Sequence, residues 1–173
     1  EKVFPEERPV YRPECMKLTC LKGETVSFQA ACTSTDSERC RVTVQVESEI
    51  KDLIRVRQVE NVPVCKACGK RTDDNYLKTK AGLYPDLLRE LENNETYIYP
   101  QQWRSLWIDI ETREDVLAGV YPVTIILTKG QEKLTEAKTT VTIYNAVLPK
   151  QKILHTEWFY ADCLADYYHV PVF

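Results

Sequence analysis

From Thr25 onward, apolar and polar residues alternate in short runs, and each run predicts a strand with one buried face. TVSFQAAC (Thr25 to Cys32) sets Val26, Phe28, Ala30 and Cys32 on one side and Ser27 and Gln29 on the other. CRVTVQVE sets Val42, Val44 and Val46 against Arg41, Thr43, Gln45 and Glu47. DLIRVRQV continues with Ile54 and Val56 opposite Arg55 and Arg57, and a register shift near Val59 predicts a bulge or a turn. Successive side chains of a strand point to opposite faces, so a period of two gathers the valines on one side of a sheet.

A second group of runs follows. WRSLWIDIE gives Leu106, Ile108 and Ile110 one face, and VYPVTIILT does the same for Tyr121, Val123, Ile125 and Leu127. Pro122 lacks a backbone N–H, so it predicts an edge position or a strand start. Lys129-Gly130-Gln131 is a hairpin signal leading into KLTEAKTTVTIYN, where Ala137, Thr139, Val141 and Ile143 share a side. Strong helical periodicity is missing from these runs. Short strands with one apolar face predict an all-β fold, an immunoglobulin-like antiparallel β-sandwich in the loose architectural sense.

Two stretches depart from the alternation. Residues 65–102 read as a long mid-chain insertion, with a short helix predicted from Pro85 because Leu87, Leu88 and Leu91 have helical spacing. Insertions of this length usually serve function or touch another domain. After LPKQK, read as a linker, ILHTEWF begins like an apolar strand, and an aromatic-rich tail runs to Phe173. Trp158, Phe159, Tyr160, Tyr167, Tyr168 and Phe173 would leave a large apolar patch in water. The expectation is therefore a sandwich domain over 1–148 and, over 149–173, a linker with the severed beginning of a second domain.

Composition narrows the classes. Hydrophobic residues make up 43% and charged residues 28%, an ordinary globular balance. The 23 basic and 26 acidic residues are intermixed, for a net charge of −3. That excludes a concentrated basic face, so no nucleic-acid partner is expected. No apolar run approaches the roughly 20 residues of a membrane helix. Seven cysteines are an odd number at loose spacing, which favours reduced thiols and a cytoplasmic protein over a disulfide framework. The sequon Asn94-Glu95-Thr96 points to secretion instead, if a signal peptide has been removed.

The stretch LPKQKILHTEWFYADCLADYYHVPVF resembles the junction, in a family of bacterial proteins, between a β-sandwich and a (β/α)₈ barrel of glycoside-hydrolase type. That family is described as a domain of unknown function and is similar to β-N-acetylgalactosaminidases. DDNYLKTKAGLYPDLL (Asp73 to Leu88) and SLWIDIETREDVLAGVYPVTIIL (Ser105 to Leu127) fit it as well. The resemblance implies a non-catalytic accessory domain that packs on and supports its own downstream barrel. In such barrels catalysis sits at the C-terminal ends of the strands, on an acidic pair or on one acid assisted by the substrate acetamide. The chain alone is then not an enzyme and carries no catalytic residue, while the parent protein is β-N-acetylhexosaminidase-like.

Candidate chemistry is sparse. Cys65-Lys66-Ala67-Cys68 has the spacing of half a tetrahedral zinc site, and Cys15 with Cys20, or Cys32 with Cys40, would have to complete a structural zinc centre. Unmetallated thiols, with no cofactor, are the plainer expectation. Trp103 and Trp107 fall on the outer face of their strand, where rings stack on sugars or pack beneath a covering domain. Asp73, Asp74 and Tyr76, with Tyr84 and Asp86 nearby, read either as a loop reaching toward carbohydrate or as a solvated turn. His155, Glu157, Trp158 and Asp162 lie closest to the expected barrel, where the strand end would offer Trp158 or Asp162 to a sugar. Cys163 near His169 is read as coincidence.

Two rival functions follow, a free-standing carbohydrate-binding module and a zinc-stabilised interaction domain. The apolar tail adds a further expected partner: ILHTEWF pairing with a strand edge of its own or a neighbouring molecule, giving a strand-mediated dimer.

Overall fold

The computed structural model describes residues 2–10, 17–65, 77–156 and 161–171. The alternating runs become β1 (Lys17–Lys22), β2 (Thr25–Cys32), β3 (Cys40–Glu47) and β4 (Ile54–Val64). They are followed by β5 (Gly82–Glu90), β6 (Glu95–Ile98), β7 (Arg104–Glu111), β8 (Gly119–Lys129), β9 (Glu132–Val147) and the helix α1 (Ala161–Tyr168). One sheet has the order β1-β9-β8-β3-β6 and the other β2-β7-β4-β5. β1 runs parallel to β9, and the remaining pairs are antiparallel. The fold is an all-β sandwich.

Its core is the set of faces that alternation predicts. Val42, Val44, Val123, Ile125, Val141 and Ile143 from one sheet meet Leu106, Ile108 and Ile110 from the other, none more than 5% exposed. Each such aliphatic side chain contributes about 1.5–3 kcal/mol of burial. A polar bridge crosses this interior: the Thr96 hydroxyl on β6 donates to the Gln58 side-chain carbonyl on β4. A buried amide needs such a partner, because leaving it unmade costs about 1–3 kcal/mol.

Turn chemistry also follows the sequence. Gly130 is the first of two turn residues between β8 and β9 and takes a φ of +61°, the arrangement of a type II′ hairpin. Gly23, at φ +79°, turns the chain from β1 in one sheet to β2 in the other. Pro122 pairs only with β9, because β3 joins β8 from Thr124 onward, so the missing N–H falls where the strand has one neighbour.

The expected helix from Pro85 is not formed. LYPDLLRE belongs to β5, which pairs along β4 at the edge of the four-stranded sheet. Glu60 stands opposite Leu87 and Asn61 opposite Pro85, so Asp86 is an extra residue, a bulge. The bulge breaks the period of two and leaves Leu87 and Leu88 looking helical, and pairing with β4 then overrides the local signal. β6, inside the same stretch, joins the other sheet. The described part of the supposed insertion is therefore built into the sandwich.

The expected strand at ILHTEWF is not seen over its described part. Residues 149–156 have no regular secondary structure, and Ile153 and Leu154 are 84% and 93% exposed. No helix among the described residues is long and apolar enough to cross a membrane.

Candidate functional site

The outer face of the four-stranded sheet carries the chemistry most worth attention. β7 runs through its middle, so residues alternating with the buried Leu106, Ile108 and Ile110 are Ser105, Trp107 and Asp109, facing outward. Strand register places Gln29 of β2 and Arg57 of β4 directly beside Trp107, and Ser27 and Arg55 beside Asp109. An indole thus sits among an amide, two guanidinium groups, a hydroxyl and a carboxylate.

Asp109 organises this group. Its carboxylate accepts from the Ser27 hydroxyl at 2.6 Å, from the Trp107 indole N–H at 2.7 Å, and from the Arg57 guanidinium. Burial to 5% exposure pushes the carboxyl up, but the three donors and the Arg57 charge outweigh it and hold the group below its ordinary value. The carboxylate is therefore charged, and its acceptors are engaged in fixing the indole and the guanidinium. It holds a platform together; it is not a free acid or base.

The surrounding groups are tied in the same way. Ser105 donates to the Gln29 side-chain carbonyl at 3.1 Å. Arg55 pairs with Glu90 and, at 3.9 Å, with Glu111. The charges of the face cancel locally. A buried Nε of Arg57 keeps no hydrogen-bond partner among the described residues.

The other predicted positions scatter. Trp103 lies just before β7, half-buried, with its backbone N–H donating to the Pro5 carbonyl at 2.8 Å. Four residues of extended chain separate its Cα from that of Trp107 by about 13 Å, so the two rings mark separate places. Asp162 is exposed in the first turn of α1. Tyr84 and Asp86 are in β5, where Tyr84 donates to the Lys80 carbonyl and Asp86 pairs with Lys2 at 3.2 Å. Asp73, Asp74, Tyr76, Glu157 and Trp158 lie outside the described residues.

Of the candidate zinc pair, Cys65 is exposed at the end of β4, and Cys68 lies outside the described residues. Cys20 and Cys40 are buried core thiols, and Cys32 packs partly buried against the core. Burial pushes the Cys32 thiol up to about 11, the protonated state of a packing residue rather than a ligand. Among the described residues no group of three or more His, Cys, Asp or Glu side chains could hold a metal.

Sequence reasoning missed the N-terminal strap. Val3 and Phe4 are buried at 8% and 7% exposure, and Phe4 packs edge-on against Tyr84 at 5.8 Å. The Lys78 ammonium stands 3.9 Å above the Phe4 ring and pairs with Glu6 and Glu7. Beside them opens a cleft of about 430 Å³ lined by Glu6, Glu7 and residues 78–84. The available signal was an apolar pair, Val3-Phe4, in an otherwise charged leader.

No family model matches the chain, and no curated protein matches it. Among solved structures, a family 123 glycoside hydrolase from Clostridium perfringens, described for glycolipid glycan hydrolysis, superposes with a TM-score of 0.70 at 17% identity. The match covers 90% of this chain and 27% of that one, so the sandwich corresponds to a minor part of the longer enzyme. A PapD-like domain of human CEP192 is a much looser match, with a TM-score of 0.37 at 9% identity over 83% of this chain and 94% of that one.

Proposed function

We propose that this chain is the accessory β-sandwich of a glycoside-hydrolase-related protein, docking on and bracing a catalytic barrel rather than performing acid–base chemistry itself. The observation that carries the reading is the superposition of 90% of the chain on 27% of a family 123 glycoside hydrolase. The chemistry of the outer face supports a docking role. Trp and Arg are the side chains that most often anchor protein interfaces, and here Trp107 and Arg57 are held in place by Asp109 before any partner arrives. Ile153, Leu154 and Tyr167, 84%, 93% and 77% exposed, add apolar surface that fits burial against a following domain.

The test begins with the coding sequence beyond Phe173. It should continue into roughly 250 residues of alternating strand and helix with acidic residues at strand ends. The barrel so encoded should be produced with and without residues 1–148. Loss of soluble, active barrel without the sandwich supports the bracing role. A barrel equally soluble and active alone, or a stop codon directly after Phe173, refutes it.

A free-standing carbohydrate-binding module is the second reading, favoured by the outward Trp107 among polar neighbours. It requires that the chain alone bind a glycan and that Trp107→Ala abolish the binding. No shift of the indole fluorescence across a panel of neutral and acetamido sugars at millimolar concentration removes it.

A further inference from the structure

Among the described residues the sandwich has four edge strands, β1, β6, β2 and β5, and three of them carry the devices that keep strangers away. β1 is short and has Lys17 and Lys22 at its ends, and β6 has four residues. β5 contains Pro85 and the Asp86 bulge, where Lys2 Nζ donates to the Pro85 carbonyl at 2.8 Å. Even the part of β9 that extends beyond β1 bears Lys133, Glu136 and Lys138, linked in ion pairs. Charges, prolines, bulges and short lengths are how proteins blunt an edge.

β2 has none of these. TVSFQAAC contains no charged residue and no proline, and its register with β7 runs unbroken from Thr25 to Cys32. Its inward row is also incompletely covered. Val26, Phe28, Ala30 and Cys32 are only partly buried, whereas Leu106, Ile108 and Ile110 of the adjoining strand are 2%, 0% and 0% exposed. Beside its C-terminal half, the gap between the sheets opens as a cavity of about 60 Å³, lined mostly by apolar residues such as Ala30, Cys32, Leu106, Ile125 and Leu127, with Thr135 and Glu136 at its β9 side. Among the described residues, an uncovered strand edge and a mostly apolar opening lie together.

We propose that β2 pairs antiparallel with β2 of a second copy of this chain, joining two four-stranded sheets into one of eight strands about a two-fold axis. The occupant follows from self-complementarity. Opposed residues in a ladder must point to the same face, so the axis must pass through a residue and not between two. Centred on Gln29, the pairing opposes Phe28 to the partner's Ala30 and Val26 to the partner's Cys32. Each large inward side chain then meets a small one, over the opening that the small residues leave. The edge carries no charge, so no like pair opposes this arrangement, and a two-fold interface closes without forming fibres. This is a different segment from ILHTEWF, and it does not depend on a barrel.

The same register gives the test, because Gln29 faces its own copy across the axis. Sedimentation equilibrium of the unmodified chain should show a dimer. Gln29→Lys and Gln29→Glu, each alone, set like charges opposite one another and should raise the dissociation constant at least tenfold. An equimolar mixture of the two variants sets unlike charges opposite and should restore the dimer as a heterodimer. Thermal melting of each variant shows whether the monomer is folded, which separates lost pairing from lost structure. The proposal fails if the unmodified chain is monomeric at millimolar concentration, if either variant alone dimerises undiminished, or if the mixture of folded variants stays monomeric.

Discussion

The indole N–H of Trp107 donates to the Asp109 carboxylate at 2.7 Å, two residues further along the same strand. Because alternate residues share a face, this is the shortest route by which a strand can tie down its own outward ring. The hydroxyl of Ser27 and the guanidinium of Arg57, brought in by β2 and β4, hold the other side of the carboxylate.

Asp109→Asn keeps the shape and removes the charge. It should cost about 2–3 kcal/mol at neutral pH, the scale for breaking a mostly buried charge cluster by removing one partner. The sign with pH is fixed by the direction of the shift. The folded carboxyl titrates below the ordinary 3.8, so its contribution is complete above that value and is lost as pH falls through the lower folded value. Urea unfolding of both proteins at pH 7 and at an acid pH below 3.8 should therefore show a gap that is full at the first and narrower at the second. A gap of equal size at both would mean that the ionised form is not what the site holds.

β3, β7, β8 and β9 were legible as strands because each alternates apolar residues turned to the core with mostly polar residues turned away from it, and Ile108 or Val141 could be assigned inward from alternation alone. β5 was not, because the Asp86 bulge removes the periodicity that would have revealed it. The indole platform was half legible. That Trp107 faces outward follows from its neighbours Leu106 and Ile108, but Ser27 and Arg57 reach it through pairings 82 and 52 residues distant from Asp109. Pairing over such distances leaves no local mark. The strap is invisible for a related reason: Phe4 finds Tyr84 and Lys78 only after β5 is in place.

The cysteines should separate by environment. Cys65 and Cys163 are exposed and Cys20 and Cys40 are buried, while burial raises the Cys32 thiol to about 11. At pH 8 only about one Cys32 in a thousand would be thiolate. Brief iodoacetamide treatment of the folded chain followed by peptide mapping should modify Cys65 and Cys163, and leave Cys20, Cys32 and Cys40 unmodified until denaturant is added. Equal labelling of Cys32 and Cys65 in the folded protein would contradict the placement of β2 against the core.

The N-terminal strap offers a contrast between apolar and charged contacts at one place. Phe4 is 7% exposed, packed on Tyr84 and beneath Lys78, so Phe4→Ala removes a buried ring and should cost about 3 kcal/mol. Lys2 also reaches across to β5, through Pro85 and Asp86, but the ion pair is open to water, with side-chain exposures of 47% and 72%. Exposed pairs are screened and contribute little, so Lys2→Ala should cost less than about 1 kcal/mol. Denaturant midpoints at low and high salt distinguish the two: the Phe4→Ala loss should be nearly independent of salt, and the small Lys2→Ala loss should shrink as salt rises. If Lys2→Ala proved the costlier change, the strap would be held by its charges, and the burial of Phe4 would be a consequence of docking rather than its cause.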